Sequence, residues 1–188
     1  MTFDNLEIAA KTFANYVIQQ SRTRLTKDKK GKGALYSSLD KKITQDATGV
    51  IVRFFMEDYG SFVDKGVMGK DPSRLSPNAK ITGQQAPNSP YKFGSGNYAG
   101  TWDAFLSKIK TWAQIKGVRF RQQKGTSKGG QFKAGNYDSI AYIIASNIYN
   151  RGLKGNEFFS VPYQRGIERY GDLFREALIK DLEQQNIK

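Results

Sequence analysis

The chain has 188 residues with a formal net charge of +13 and 38% hydrophobic residues, enough for one domain with a proper core and slightly short for two. It contains no cysteine and no histidine. That excludes disulfides and thiolate metal sites, and removes the commonest general base, zinc ligand and triad partner together.

The first predicted element is a helix from Asp4 to about Leu25. Asp4 and Glu7 form a capping-box-like start, Phe3 and Ile8 are spaced for a hydrophobic staple, and Leu6, Ala10, Phe13 and Val17 make an apolar stripe. No signal peptide is expected from this amphipathic segment. A flexible basic loop, Lys27 to Gly33, follows. Leu35 to Ile43 is ambiguous between a strand and a turn leading into one. Val50 to Glu57 alternates as a strand that is apolar on both faces, which predicts a central or covered position in its sheet. Tyr59 to Gly66 predicts one or two helical turns stopped by glycine.

Residues 67–100 hold four of the five prolines and read as a long loop that becomes ordered on assembly. A helix is predicted from Thr101 to Lys116, with Trp102, Phe105, Leu106, Ile109, Trp112 and Ala113 at helical spacing. A short strand at 118–121 and a second basic loop come next. Tyr137 to Arg151 predicts a helix with Ile140, Ile143, Ile144 and Ile148 on one side, stopped by Gly152. A short loop then delivers Phe158 and Phe159 to an apolar site. The last helix is predicted over Tyr163 to Glu183, with Ile167, Tyr170, Phe174, Ala177, Leu178 and Leu182 on its apolar side. The longest apolar run, Ile140 to Ala145, is far below the roughly 20 residues a membrane span needs.

These elements predict an α+β fold: one domain over 1–188, with a mixed or antiparallel sheet of about four strands packed by long N-terminal and C-terminal helices. Long Pro/Gly-rich insertions, a loop at 67–100 and a basic arm at 117–136, elaborate it.

Positive charge is clustered. Arg22 to Lys32 carries a net five charges and Lys116 to Lys133 a net six, eleven of the thirteen together. Such clustering points to a polyanion or an acidic protein surface. Lys27, Lys29, Lys30, Lys32, Arg119, Arg121, Lys124, Lys128 and Lys133 are the candidates to face it. Catalytic patterns are weak: the Ser38-to-Lys41 spacing lacks its companion motifs, and Gly94 to Gly100 has neither the spacing nor the preceding strand of a phosphate loop. Asp64 reads as a cap or a lysine partner sooner than as a magnesium ligand with Glu57 and Asp58. No enzyme activity and no cofactor are expected.

Two separated segments carry a resemblance. Tyr59-Gly60-Ser61-Phe62-Val63-Asp64-Lys65-Gly66 is followed by Ile140-Ala141-Tyr142-Ile143-Ile144, then by Arg151-Gly152-Leu153-Lys154-Gly155 and Phe158-Phe159 with Pro162. In this order they resemble the tail-completion or neck proteins of tailed bacteriophages, whose pattern joins Tyr-x-x-Phe/Tyr-Val-Asp/Glu-x-Gly to a late Ile-Ala-x-x-Ile helix. The insertions exceed those of compact members and suit the multi-ring necks of crAss-like short-tailed phages. The resemblance implies a virion structural protein in a six- or twelve-fold homo-oligomeric ring, assembled in the host cytoplasm. It would join portal and adaptor proteins to tail proteins, with DNA passing through and sequence-independent contact with that DNA. Tyr59, Phe62, Phe158, Phe159, Pro162 and Tyr163 become candidate subunit-interface residues. The alternative is a basic nucleic-acid-binding protein acting as monomer or dimer. Neither reading involves a membrane.

Overall fold

A computed structural model describes residues 2–28, 33–74, 82–96, 100–118, 120–121, 132–133 and 136–186. The fold is α+β. In chain order the elements are α1 (Asp4–Lys27), α2 (Ala34–Ser38), β1 (Asp40–Asp46), β2 (Gly49–Phe55), α3 (Gly60–Lys65) and β3 (Gly66–Met68). A single 3-10 turn at Pro72–Arg74 precedes α4 (Trp102–Ile115), β4 (Phe120–Arg121), β5 (Phe132–Lys133), α5 (Tyr137–Arg151), β6 (Gly152–Lys154) and α6 (Ser160–Asn186). In place of one sheet of about four strands, the described strands form three separate antiparallel pairs: β1–β2, β3–β6 and β4–β5. These elements gather into two compact units, 1–65 with 155–188, and 66–154.

In the first unit, α1 and α6 pack along each other with the β1–β2 hairpin against α1. The buried face of α1 (Ala10, Phe13, Val17, Leu25 and neighbours) follows the stripe in the sequence. Phe13 is its hub, meeting Phe54, Tyr163, Tyr170 and Phe174 edge-on at centroid distances of 5.6 to 6.4 Å. Such edge-to-face pairs add to the burial of the rings themselves. Gly166 permits this approach: a Cβ there would lie 2.7 Å from the Phe13 ring. At the other end, Ile18, Leu25, Leu35, Leu39 and Phe158 form a fully apolar cluster.

The start of α1 departs from expectation. Asp4 lies inside the helix, the residue before it offers no side-chain cap, and Ile8 is 62% exposed, so no staple closes over Phe3. The cap comes from α6. Asp181 accepts from the Asn5 and Leu6 backbone N–H groups at 3.0 and 2.9 Å, and from the Asn5 amide at 2.7 Å. A carboxylate at a helix N-terminus satisfies orphan donors and complements the helix dipole.

Strand β2 is covered on one face alone. Val50, Val52 and Phe54 are half-buried, whereas Ile51 and Phe55 are exposed. A two-stranded ribbon has one face to bury, so the second apolar face is left in solvent. The hairpin turn is fixed by Asp46, whose Oδ1 accepts from the Thr48 hydroxyl and from the Thr48 and Gly49 N–H groups.

In the second unit, α4 packs against α5. Thr101 caps α4 and Asn136 caps α5 with side-chain bonds of 3.2 and 2.9 Å. Gly152 ends α5 at φ +90, where an added Cβ would collide with the Val67 carbonyl of β3. The stop predicted from the sequence is therefore also a close backbone crossing. The proline-rich region is built into this unit. Met68 bonds Tyr91 and Phe93, Lys70 bonds Tyr149, Asp71 bonds Asn150, and Gln85 bonds Arg151, all through backbone groups. Residues 82–96 thus have partners inside the chain, contrary to order arising on assembly. Positions 75–81 and 97–99 lie outside the described residues.

Candidate interaction surfaces

The Tyr59-to-Gly66 and Phe158-to-Pro162 segments meet at one side chain. Asp64, 4% exposed, accepts from the N–H groups of Phe159 and Ser160 at 2.7 and 3.0 Å and from the Ser160 hydroxyl. It is the N-cap of α6, supplied by α3 from 95 residues away. Backbone bonds from Asn156 to Val63 and from Glu157 to Asp64 complete the splice. Pro162 follows in the first turn of α6, where a missing N–H costs nothing. With both Asp64 oxygens occupied by these donors, it is a cap and not a partner of the exposed Glu57 and Asp58.

This splice separates the predicted interface residues. Phe158 is fully buried in its own chain and Pro162 is buried too, so neither presents a side chain to another subunit. Phe159 and Phe62 are half-buried; Phe159 packs on Phe54 and stacks on Tyr163. Tyr59 and Tyr163 are exposed, at 44% and 39%. Outward on the hairpin lie Ile51 and Phe55, and along α6 lie Ile167, Leu178 and Leu182. The sequence assigns the last three to the packed side of α6, but Gly166, Tyr170, Phe174, Ala177 and Asp181 take that role, leaving them beside it.

In the second unit, Trp112, Ile115, Tyr142 and Ile143 are exposed at 43 to 77%. Trp102 is braced edge-on by Tyr142 and Tyr149 at 6.1 and 5.5 Å. Ile143, expected on the packed side of α5, is replaced there by Ala141 and Ala145.

Of the predicted basic candidates, Lys27 is exposed in the last turn of α1. Lys29, Lys30, Lys32, Arg119, Lys124 and Lys128 lie outside the described residues, as do the side chains of Arg121 and Lys133 in β4 and β5. Arg22, part of the first basic run, is a structural residue: it donates to the Leu39 carbonyl at 2.8 Å and stacks over Tyr36.

Three carboxylates are held below the usual range. Burial pushes Asp181 up, but the Leu6 and Asn5 donors together outweigh it and lower it. The Thr48 hydroxyl and N–H lower Asp46, and the Ser73 hydroxyl and N–H lower Asp71. All three sit at structural turns or caps. Sequence reasoning missed Asp181 because its partners, Asn5 and Leu6, are 175 residues or more away and no local pattern marks such a cap. No helix among the described residues is long and apolar enough to cross a membrane. Comparison with known protein families, curated proteins and solved structures finds no match.

Proposed function

We propose that this chain is a structural subunit of a phage neck, forming a homo-oligomeric ring that joins the portal or an adaptor to tail proteins and lets DNA pass. The observation that carries the reading is the set of large apolar side chains exposed on regular elements. Ile51 and Phe55 share the outward face of β2, and Ile167, Leu178 and Leu182 run along α6. Grouped apolar side chains on ordered surfaces mark sites where other protein docks. A ring subunit needs two different surfaces of this kind, one for each neighbour.

The resemblance supplies the kind of assembly. It is supported by the Asp64 splice, which gives a physical reason for a Tyr-x-x-Phe-Val-Asp-x-Gly segment and an aromatic segment before the last helix to occur together. The carboxylate is the cap that the distant helix requires.

Negative-stain microscopy of the purified chain, alone and with portal protein, tests the reading together with the protein content of purified virions. Rings, or a complex with portal, are expected, and the chain is expected in virions. A monodisperse monomer that binds duplex DNA with steep salt dependence and is absent from virions would replace the ring reading with the nucleic-acid-binding one.

A further inference from the structure

Between the second half of α1 and the start of α6 lies a pocket of about 330 Å³, lined by Tyr16, Gln20, Thr23, Arg24, Lys27, Asp28, Asn156, Pro162 and Arg165. Its walls are fixed. The Asn156 amide donates to Asp28 at 2.9 Å while its oxygen accepts from the Phe158 N–H at 3.2 Å. Tyr16 is held edge-on by Tyr170 at 5.4 Å, and the Arg169 guanidinium stacks over its ring at 5.4 Å. The cations, by contrast, are uncommitted. Among the described residues, Arg24, Lys27 and Arg165 form no ion pair. The carboxylate in the lining, Asp28, is engaged by Asn156. The Thr23 hydroxyl already donates to the Gln19 carbonyl at 2.9 Å, so the neutral donor in the lining is the Gln20 amide. A pre-shaped concavity with three unpaired cations and that amide is complementary to an anionic group that enters it.

We infer that this pocket binds an acidic peptide, taking one or two of its carboxylate side chains. Shape favours this occupant over duplex DNA. Duplex phosphates lie on a convex surface and are met by protruding elements or by loops and helix ends laid along it. A recess closed by two helices and a loop instead admits a group presented on a stem, as a glutamate or aspartate side chain is. Charge agrees: three cations against one carboxylate match a pair of carboxylates better than a dense phosphate array. Arginine's planar fork adds geometric selectivity for carboxylate. The acidic peptide has two available sources, a second copy of this chain or a different protein. Within this sequence, Glu57-Asp58 is the one pair of adjacent acids, and both are exposed.

The test is calorimetric titration of the full chain with a hexaglutamate peptide, with hexaglutamine as the blank. Arg24→Gln and Arg165→Gln should each weaken binding about tenfold with an unchanged melting temperature, whereas Lys108→Gln on α4 should leave it unaltered. The inference is overturned if hexaglutamate does not bind, or if Lys108→Gln weakens binding as much as Arg165→Gln does. It is also overturned if a short duplex binds more tightly than the peptide through the same two arginines. Sedimentation velocity separates the sources. If Glu57→Lys with Asp58→Lys and Arg24→Glu with Arg165→Glu each abolish self-association but restore it when mixed, another copy supplies the acids. Peptide binding by the wild type, with self-association left unchanged by either charge-reversed pair, assigns them to a different protein. The pocket stands apart from the ring reading: rings that form while hexaglutamate fails to bind would sink the pocket alone.

Discussion

The two compact units solve the same problem, anchoring helices around a small core, with different chemistry. The first unit uses carboxylates supplied from far along the chain. Asp64 caps α6 and Asp181 caps α1, so each long helix begins on a side chain from elsewhere in the unit. The second unit caps α4 and α5 locally, with Thr101 and Asn136, and ties its irregular segments by close backbone contacts at Gly69 and Gly152. Each unit is therefore vulnerable at a different kind of residue. Long-range caps couple distant segments, so one substitution should loosen several elements. Backbone crossings concentrate the same sensitivity at glycine.

The largest effect should come from Asp64→Ala. It leaves two N–H groups and a hydroxyl without their buried acceptor, and should cost about 3 to 4 kcal/mol. Urea unfolding measures the loss. Hydrogen exchange should place it at the start of α6 while protection in α4 and α5 is retained. Equal loss of protection in α4 and α5 would mean that the Asp64 cap is not confined in its effect to the first unit. Next, Gly152→Ala should cost about 2 to 3 kcal/mol, because alanine disfavours the φ of +90 and its Cβ meets the Val67 carbonyl. Here exchange should rise at β3, β6 and residues 91–93, with α1 unaffected.

Asp181→Asn should cost about 1 to 2 kcal/mol, since the amide keeps one acceptor and loses the charge. Its pH dependence sharpens the point. The folded-state value of Asp181 lies below the unbound 3.8, so the unfolded chain takes up the proton first as acid is added. The carboxylate's contribution is complete above the unfolded value and is lost as pH falls through the folded one. Acid titration of stability should therefore be shallower in Asp181→Asn than in the wild type below about pH 4. Identical acid profiles would show that the Asp181 carboxylate does not stabilise the start of α1. The smallest effect on stability is expected at the outward face of β2. Ile51→Thr with Phe55→Thr should change it by no more than about 0.5 kcal/mol while abolishing ring formation in micrographs. Intact rings from that double variant would take the hairpin out of the proposed assembly surface.

Much of the helical framework was legible in the residues. The α1 stripe, the glycine stops at Gly66 and Gly152, and the extent of α5 follow from periodicity and from the need for glycine at positive φ. The apolar destination of Phe158 was legible as well. The resemblance makes Phe158 and Pro162 candidates for a subunit interface, but both are buried in their own chain, because an apolar segment must be covered without its sequence saying whose atoms cover it. Around Phe158 the covering atoms are the chain's own Ile18, Leu25, Leu35 and Leu39. Ile51 and Phe55 erred in the opposite direction. An apolar strand reads as covered on both faces, yet a sheet that stops at two strands leaves one face outward.

Composition and spacing alone therefore determined the long helices, the glycine stops and the absence of histidine and cysteine chemistry, since these depend on residue type and on neighbours within a few positions. The short α2 at Ala34–Ser38, in a stretch that reads as a strand or a turn, was not among them. Tertiary structure alone decided that the helix Asp64 caps is the distant α6, that Asp181 is a cap, that Arg22 is a packing residue, and that Arg24, Lys27 and Arg165 line one recess. Capping, stacking and charge clustering across helices act over a few ångströms in space, and the residues involved stand from a few to well over a hundred positions apart in the chain.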